Sequence, residues 1–450
     1  MMYNLTERFI NEMQIFSEVK FSDSTLNQAK RCLLDYLGVT YAGSFALGNK
    51  KRSLLLSQFD RGLKEASLIG FNKKVSVEGA AYINGVSGHV LELDDGVRFG
   101  GIHPGAPIIS ALLSLAEKEK ISGQNLLKGI ITGYETAIRI ASAIQPFHHN
   151  RGYHPTGTCG TIGATVALAI ALNFTNEQLK LAFTNAAVNA SGTLKVIEGA
   201  SEIKALNAGN ASLNAVMAIH SARVGFKVPE DVLSGEKGFI NMMAGEYDES
   251  LLLKENSEPE IEKVYFKLYS ACRHCHSPIE AAFKIRKQKR IVPEEIKKIR
   301  IKTYRYVINK HDHTDILGTA SAKMSIPYSV VIALLFGRAQ DSEFSLEKIK
   351  DPSVLSTINK VEIIEDKELS KWVPERRPAI IEVTLYNGEK YKQQVDFPKG
   401  EPENPLTNQE LEEKFKELAI YGGKSEDETY KIINCVLNLQ NSLDDLLKYF

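Results

Sequence analysis

The sequence predicts a mainly α protein that combines a large helical part with a smaller α+β part. Apolar residues recur at helical spacing through the first half of the chain, whereas polar and apolar residues alternate in several segments after about residue 255. Helical spacing returns from Thr407 onward. A chain of 450 residues also exceeds what one compact core commonly holds, which favours two structural units.

The helices of the first half are predicted from apolar periodicity and from capping residues. Ser24 is predicted to cap a helix that carries leucines and alanines on one face. Thr175 and Gln178 form a predicted capping box before another helix. Further segments rich in Ala, Gly and Ser are predicted to be closely packed helices, namely 76–91, 106–119, 124–144, 157–173 and 204–224.

The α+β part is predicted from strand-like alternation in residues 298–304, 360–364 and 380–386. Asn387-Gly388 follows the last of these segments and is typical of a tight hairpin turn. Helices are predicted near 278–288 and 318–336. Thr407 and Glu410 form a further capping box where the helical part resumes.

Composition and charge exclude several classes of function. The 55 basic residues equal the 55 acidic residues, so no charge excess favours nucleic acid or a membrane surface as a partner. The N-terminus lacks the pattern of a signal peptide, and the most apolar stretch, 162–172, is too short for a bilayer span of about 20 residues. Five cysteines do not form a disulfide framework, so we expect a cytoplasmic protein. Phosphate-binding glycine loops and the G-x-S-x-G serine motif are missing from the sequence.

Candidate functional residues are concentrated between residues 88 and 105. The predicted helix 76–91 leads into this segment, and Pro104-Gly105 begins the next helix, so His103 stands just before a helix N-terminus that suits a carboxylate. The alternative interpretation is a solvated loop whose acids only cap helices. The charged residues and histidines of this segment are His89, Glu92, Asp94, Asp95, Arg98 and His103.

Two further segments carry single candidate residues. His154 precedes Pro155 and a glycine-rich helix start, although a histidine in such a place is commonly a hydrogen-bonded loop residue. Lys204 begins a helix of small residues. It is therefore either a lysine that extends to solvent or a buried cation that meets an anion.

The segment 270–278 contains a possible metal-binding pattern. Cys272-x-x-Cys275-His276 matches the haem c attachment motif and offers zinc ligands. Haem attachment requires export, and a structural zinc site needs a second ligand pair at short spacing, which the other, isolated cysteines do not provide. We therefore expect neither haem nor a metal at this segment.

A simpler interpretation of this segment is a cationic patch beside a helix N-terminus at Pro278. The patch consists of Arg273, His274 and His276. The segment that contains His311 and His313 is interpreted as a solvated turn or a lid contact, with no site assigned to it.

Taken in order, these motifs resemble the MmgE/PrpD family of 2-methylcitrate dehydratases, cis-aconitate decarboxylases and iminodisuccinate epimerases. The family signature, H-x-x-D-x-D-D followed by H-P, reads here as His89, Glu92, Asp94, Asp95 and His103-Pro104. Further collinear matches cover nearly the whole chain, at residues 152–157, 204–211, 272–280, 322–328 and 398–405.

The resemblance implies a large all-helical domain built from both chain ends and a smaller α+β lid domain, with a pocket between them. We accordingly expect residues 1–262 and 403–450 to form the helical domain and residues 263–402 to form the lid. The resemblance also implies a homodimer that needs no cofactor.

The function that the resemblance implies is a lyase acting on a small di- or tricarboxylate, with acid/base proton transfer at a carbon next to a carboxylate. The reaction would be like that of 2-methylcitrate dehydratase or of cis-aconitate decarboxylase. An epimerase of a small dicarboxylate is the first alternative. A non-catalytic sensor that binds polycarboxylates is the second.

The resemblance also assigns roles to residues. His103 is expected to be the main acid/base, Lys204 an anion clamp or second proton carrier, and Asp94 or Asp95 the residue that orients a histidine. The expected catalytic residues are His103, His154, Lys204 and Asp94. The expected substrate-binding residues are Glu92, Asp95, Arg98, Arg273 and His276.

Three features depart from the family pattern. Glu92 replaces the first aspartate of the signature, the loop that carries Arg98 is about a residue longer than in the decarboxylases, and Asn207 and Asn210 stand where His and Arg are frequent. These positions border the implied pocket. We therefore expect a substrate other than methylcitrate or cis-aconitate.

Overall fold

Helices dominate the structure, a computed structural model that describes residues 4–198, 201–254 and 258–450. The predicted mainly α fold class is thus confirmed. The chain divides into two units. Unit 1 comprises residues up to 195, 203–265 and 407–450, and unit 2 comprises 196–202 and 266–406.

The first part of unit 1 contains twelve α-helices within the described residues, labelled in chain order. They are α1 (Leu5–Glu18), α2 (Asp23–Ala46), α3 (Gly48–Phe59), α4 (Val77–Ser87), α5 (Gly105–Glu119), α6 (Gly123–Ala143), α7 (Phe147–Asn150), α8 (Pro155–Ala171), α9 (Asn176–Asn189), α10 (Lys204–Val224), α11 (Phe239–Met243) and α12 (Glu249–Leu252). Strands β1 (Ala66–Leu68) and β2 (Lys73–Val75) form a small antiparallel pair between α3 and α4.

Unit 2 contains short helices and a four-stranded sheet. Its elements are α13 (His276–Gln288), β3 (Ile296–Thr303), α14 (Thr319–Met324), α15 (Ile326–Phe336), α16 (Leu346–Ile349), α17 (Pro352–Ile358), β4 (Val361–Glu365), α18 (Lys367–Ser370), β5 (Ala379–Leu385) and β6 (Lys390–Val395). The chain then returns to unit 1 with α19 (Asn408–Tyr421), α20 (Glu426–Leu437) and α21 (Leu439–Leu447).

The sheet of unit 2 has the strand order β4-β3-β5-β6. Strand β3 pairs in parallel with β4 and antiparallel with β5, placing Ile301 opposite both Ile363 and Ile381. Strands β5 and β6 form the hairpin that Asn387-Gly388 predicts, with Gly388 at φ +91°. The predicted strands 298–304, 360–364 and 380–386 are present within two residues of their predicted bounds.

Capping explains most helix starts. The capping boxes of Thr175 with Gln178 and Thr407 with Glu410 are both formed. The predicted cap of α2 is wrong, because Ser22 rather than Ser24 accepts the hydrogen bond from the Thr25 backbone N–H. This start places Asp23 in the first turn, where its negative charge stabilises the helix dipole.

Two other helix predictions are corrected. The helix predicted over 318–336 is split at Ser325, which has extended backbone angles and caps α15. The ring of Pro327 would clash with the carbonyl of residue 323 in a continuous helix. Helix α13 begins at His276, two residues before Pro278, so His276 is part of its first turn.

The centre of unit 1 is helix α8, all of whose residues are buried. It packs against α5, α6, α9 and α10, which explains its richness in Ala, Gly and Thr. Although α8 is apolar, no helix within the described residues combines the length and the apolar character that a membrane crossing requires.

Helices α4 and α10 approach each other unusually closely. A Cβ added at Gly209 would lie 2.6 Å from Val86 Cγ2 and 2.8 Å from the Tyr82 carbonyl oxygen. A Cβ added at Gly85 would likewise lie 2.9 Å from Gly209 Cα. This close contact matters for the site, because α4 ends just before His89 and α10 begins at Lys204.

Candidate active site

The segment 88–104 in unit 1 leaves α4 earlier than predicted. Helix α4 ends at Ser87 instead of 91, and Glu92 adopts a left-handed conformation with φ +57°. Val97 and Ile102 then exchange both backbone hydrogen bonds, at 2.9 and 3.3 Å, so residues 97–102 form a tight turn. The turn returns the chain to His103 at the start of α5.

One carboxylate lies between two imidazoles. Asp94 Oδ2 accepts a hydrogen bond from His89 Nδ1 at 2.6 Å, and it lies 3.7 Å from His103 Nδ1. Asp94 is 2% exposed and His89 is 1% exposed, so these charges and dipoles interact with little screening by water. The arrangement orients the His89 ring and places negative charge beside His103.

Asp95 contacts His103 through its backbone. The Asp95 carbonyl oxygen accepts the N–H of His103 Nδ1 at 2.6 Å, and the His103 backbone N–H donates to Thr156 Oγ1 at 3.1 Å. In neutral His103 the lone pair therefore lies on Nε2. The first hydrogen bond thus selects the tautomer in which Nε2 can accept a proton.

The Asp95 side chain is engaged within the protein. Its carboxyl accepts hydrogen bonds from the Gly105 N–H at 3.0 Å and from the Tyr134 hydroxyl at 2.6 Å. Burial raises the pKa of Asp95 to about 8, although these two hydrogen bonds counteract the shift. The carboxyl thereby caps α5 and positions the carbonyl that His103 contacts.

His154 presents the opposite tautomer. Its Nδ1 accepts a hydrogen bond from the Asn207 amide at 3.0 Å, so the ring proton of neutral His154 lies on Nε2. Burial, reinforced by the positive charge of Lys204, holds the pKa of His154 well below its usual range. His154 is therefore neutral near pH 7 and is a hydrogen-bond donor at Nε2.

Lys204 pairs with Glu92. The ammonium nitrogen lies 2.6 Å from both carboxylate oxygens, and the two side chains are 14% and 8% exposed. Since Lys204 and Asn207 are three residues apart on α10, they share one helix face. Glu92, which replaces an aspartate of the family signature, thus places its carboxylate where it neutralises the predicted anion clamp.

The imidazoles of His89, His103 and His154 form one cluster in unit 1. The His89 ring centroid lies 5.2 Å from that of His103 and 6.0 Å from that of His154. His89 Nε2 is buried and has no hydrogen-bond partner among the described residues. A buried polar atom of this kind is a position where a substrate group or a water molecule can bind.

Arg98 lies at the start of the turn 97–102. The side chain is 8% exposed, and its guanidinium carbon lies 5.0 Å from the Phe99 ring centroid. Such stacking on an aromatic face restricts the guanidinium while leaving its edge for hydrogen bonds.

Arg273 and His276 lie in unit 2, where both are buried. Arg273 forms an ion pair with Glu401 at 2.8 Å and donates to His276 Nδ1 at 3.0 Å. His276 Nε2 then donates to the Ala271 carbonyl at 3.3 Å. Unit 2 also contains a group of side chains that could hold a metal ion, namely Cys272, His274 and His311.

The sequence alone gives no role to several residues that shape the cluster. The signals it contains are that His89 is the first residue of the signature and that Thr156 is a hydroxyl two positions after His154. Asn207 stands out in the sequence only as a departure from the family pattern. Tyr134 had no signal, because it lies within α6 and meets Asp95 only through packing.

The chain is similar to a known protein family and to several characterised relatives. The model of the MmgE/PrpD N-terminal domain matches residues 13–251, and the model of the MmgE/PrpD C-terminal domain matches residues 269–439. Human cis-aconitate decarboxylase is 25% identical over 99% of this chain and 93% of its own length. The cis-aconitate decarboxylase-like protein oryM of Aspergillus oryzae is 26% identical over 95% of this chain and 93% of its own. The cis-aconitate decarboxylase of Aspergillus terreus is 24% identical, with 93% and 90% covered.

Proposed function

Because the chain belongs to the MmgE/PrpD family, we propose that it is a lyase that acts without a cofactor on a small di- or tricarboxylate. The proposed step is proton transfer at a carbon next to a carboxylate, coupled to loss of carbon dioxide or water. The names of the relatives favour decarboxylation as the first reaction to test.

The main support for this proposal is that two histidines of unit 1, His103 and His154, have opposite tautomers. The Asp95 carbonyl leaves His103 with a lone pair on Nε2, and the Asn207 amide leaves His154 with a proton on Nε2. A base and a hydrogen-bond donor in one buried cluster are the groups that general acid/base catalysis needs. A protein that only binds polycarboxylates does not require this division of tautomers.

In the proposed reaction, His103 Nε2 exchanges a proton with the substrate carbon. The negative charge that develops on the adjacent carboxylate is stabilised by nearby donors, of which His154 Nε2–H is one and the Lys204 ammonium another. Asp94 stabilises the positive charge that His103 acquires, since its Oδ2 lies 3.7 Å from His103 Nδ1. Asp95 acts as a positioning residue through its carbonyl.

Glu92 bears on the choice of substrate. A substrate carboxylate that binds Lys204 must displace Glu92 or share the ammonium with it. This competition weakens binding of substrates that depend on Lys204 alone, and it favours substrates with a further donor for Glu92, such as a hydroxyl or ammonium group. Arg98, Arg273 and His276 remain the proposed ligands of other substrate carboxylates.

The test is proton exchange in deuterated water, followed by NMR. A panel of small di- and tricarboxylates, with cis-aconitate first, should contain at least one compound that incorporates deuterium next to a carboxylate. Replacement of His103 by Ala should lower this rate at least about a hundredfold. His220→Ala is the matched control, because His220 lies on α10, pairs with Glu78 and is outside the cluster.

The products distinguish the reaction classes. Gas evolution identifies a decarboxylase, water loss with a new vinylic proton a dehydratase, and inversion without a new compound the alternative epimerase. Binding of several acids without any exchange would refute the enzyme and leave the polycarboxylate sensor. We also propose a homodimer, as the family resemblance implies, to be checked by light scattering.

A further inference from the structure

We propose that Cys272, His274 and His311 in unit 2 form a binding site for a borderline-soft divalent metal ion such as Zn²⁺. One ligand atom from each of the three side chains lies within 4.8 Å of the other two. One thiolate and two imidazoles form a donor set that zinc and cobalt prefer over magnesium or calcium. The proposal revises the expectation from sequence that this segment holds no metal.

That expectation rested on spacing along the chain. It required a second ligand pair near Cys272 and Cys275, and none exists at short spacing. The fold supplies the third ligand from a distant segment instead, since the His311 ring stacks on the His274 ring with centroids 5.1 Å apart. Cys275 is not part of the group.

Hydrogen bonds orient His311 as in known metal sites. His311 Nδ1 lies 2.9 Å from the Met324 carbonyl oxygen, to which it can only donate, so the lone pair of the neutral ring lies on Nε2. Metal-binding histidines commonly donate their second ring N–H to a carbonyl in this manner. His311 is also 4% exposed, which limits its freedom to turn away.

His274 has a comparable second contact. Its Nδ1 lies within hydrogen-bond distance of the Tyr304 hydroxyl, which leaves Nε2 as the nitrogen for a metal when Nδ1 carries the proton. The His274 ring also packs on Tyr306, with centroids 4.9 Å apart. Both imidazoles of the group are thus held by a neighbour on one side.

The backbone holds the two segments together. The Cys272 N–H donates to the Lys323 carbonyl at 2.9 Å, and the Ile326 N–H donates to the His311 carbonyl at 2.8 Å. Cys272 and His311 are therefore both anchored to residues 323–326. A metal would draw the ligand atoms from within 4.8 Å to the roughly 3.3–3.6 Å expected of tetrahedral Zn–S and Zn–N bonds.

Two of the nearby ammonium groups are engaged by other side chains. The ammonium of Lys323 is directed to Asp341, 2.8 Å away, and that of Lys310 lies over the Tyr306 ring. With three protein ligands, the fourth position of a tetrahedral ion is open to water or a small anion. The proposed metal site shares no residue with the acid/base cluster proposed in unit 1.

The experiment is titration of the full chain, stripped with chelator, with Co²⁺ alone. We expect one Co²⁺ per chain, with a thiolate charge-transfer band in the near ultraviolet and visible bands of four-coordinate cobalt, both removed by Zn²⁺. Cys272→Ser should abolish the charge-transfer band, and His311→Ala should weaken affinity at least about a hundredfold.

Two neighbours provide matched controls. Cys275→Ser removes a buried cysteine three residues away, and His313→Ala removes a histidine that contacts Ser321 instead. Both variants should bind Co²⁺ like the wild type. Thermal melts without metal establish that every variant is folded, and Zn²⁺ should raise the melting temperature of wild type but not of Cys272→Ser.

Absence of stoichiometric binding overturns the proposal, as does binding that Cys272→Ser and His311→Ala leave unchanged. Because the readouts are spectroscopic and thermal, they are independent of the proposed lyase activity. Failure of either proposal can therefore be recognised separately.

Discussion

At the scale of single residues, the signature acids have different tasks. Asp94 contacts His89 and lies near His103 through its carboxylate, whereas Asp95 contacts His103 through its carbonyl. Sequence alone left open which of the two orients a histidine. The structure shows that each does so, by a different group.

The first prediction compares these two acids. Asp94→Asn keeps the shape of the side chain but removes the charge beside His89 and His103, so we expect turnover to fall about ten- to a hundredfold. Asp95→Asn should stay within about threefold of wild type, because a neutral side chain can keep the contacts to Gly105 and Tyr134. Steady-state rates of the two variants decide the matter. Equal losses would contradict these different roles.

The second prediction concerns pH and stability. The pKa of Asp95 is about 8 in the folded chain and about 3.9 in an unfolded one, so the folded state binds more protons between these values. Its contribution to the free energy of unfolding is therefore present below pH 4 and is lost as the pH rises toward 8. Denaturant titrations at pH 5 and pH 8 should show a smaller loss on raising the pH in Asp95→Asn than in wild type.

The buried histidines contribute to the free energy of unfolding with the opposite dependence on pH. Burial lowers the pKa of His154 and lowers that of His148 to about 3, so their contributions diminish as the pH falls below about 6.5. Because both proteins contain these histidines, their contributions cancel when the pH dependence of wild type is compared with that of Asp95→Asn. An identical pH dependence in both proteins would show that Asp95 of the folded chain is ionised over the whole range from pH 5 to pH 8.

The third prediction concerns Lys204. Lys204→Ala should cost about 1.5–3 kcal/mol in transition-state binding, typical of a charged hydrogen bond, and Lys204→Arg should restore only part of it. The comparison is kcat/KM with the best substrate found. Lys128→Ala removes an exposed ion pair with Glu18 and serves as control. Wild-type activity in both Lys204 variants would leave Lys204 only as the partner of Glu92.

At the scale of elements, the site depends on how closely α4 and α10 pack. Small residues in these segments predicted close packing, but the contact between Gly85 and Gly209 required the fold. Two helices differ from their predicted bounds because individual side chains decide where a helix begins. Ser22 replaced Ser24 as a cap, and Ser325 with Pro327 divided one predicted helix into two.

The fourth prediction tests this packing. Gly209→Ala places a Cβ 2.8 Å from the Tyr82 carbonyl, which belongs to the backbone of α4 and cannot rotate away. We expect a loss of about 1–3 kcal/mol in the free energy of unfolding and a fall in activity. Asn210→Ala, at the exposed neighbouring position, is the control for stability and should leave the free energy of unfolding unchanged or slightly raised. Denaturant titration and turnover are the measurements, and a stable, fully active Gly209→Ala would contradict the account.

At the scale of the whole molecule, the chain forms two units and returns to the first after Leu406. The cluster of His89, His103 and His154 belongs to unit 1, and the predicted carboxylate ligands Arg273 and His276 belong to unit 2. Their part in substrate binding stays a prediction.

The fifth prediction concerns His276. His276→Ala should lower turnover or raise KM, because it removes a proposed substrate ligand and the acceptor of the Arg273 hydrogen bond. Ser277→Ala is the matched control, since it removes a partly buried hydrogen bond from the adjacent residue to the Arg377 carbonyl. Melting temperatures report any general damage to unit 2. Unchanged kinetics in His276→Ala would remove His276 from the site.

The amino-acid sequence was enough to predict the mainly α fold class, the strands of unit 2, the starts of several long helices and the family. These features depend on interactions between residues close in the chain, such as periodicity, capping and turn chemistry, or on motifs in a set order. The tertiary structure alone decided which nitrogen of His103 and His154 carries the proton, that Glu92 neutralises Lys204, and that His311 stacks on His274 beside Cys272. Each of these depends on contacts between distant segments, whose distances and angles are set only when the helices and strands pack.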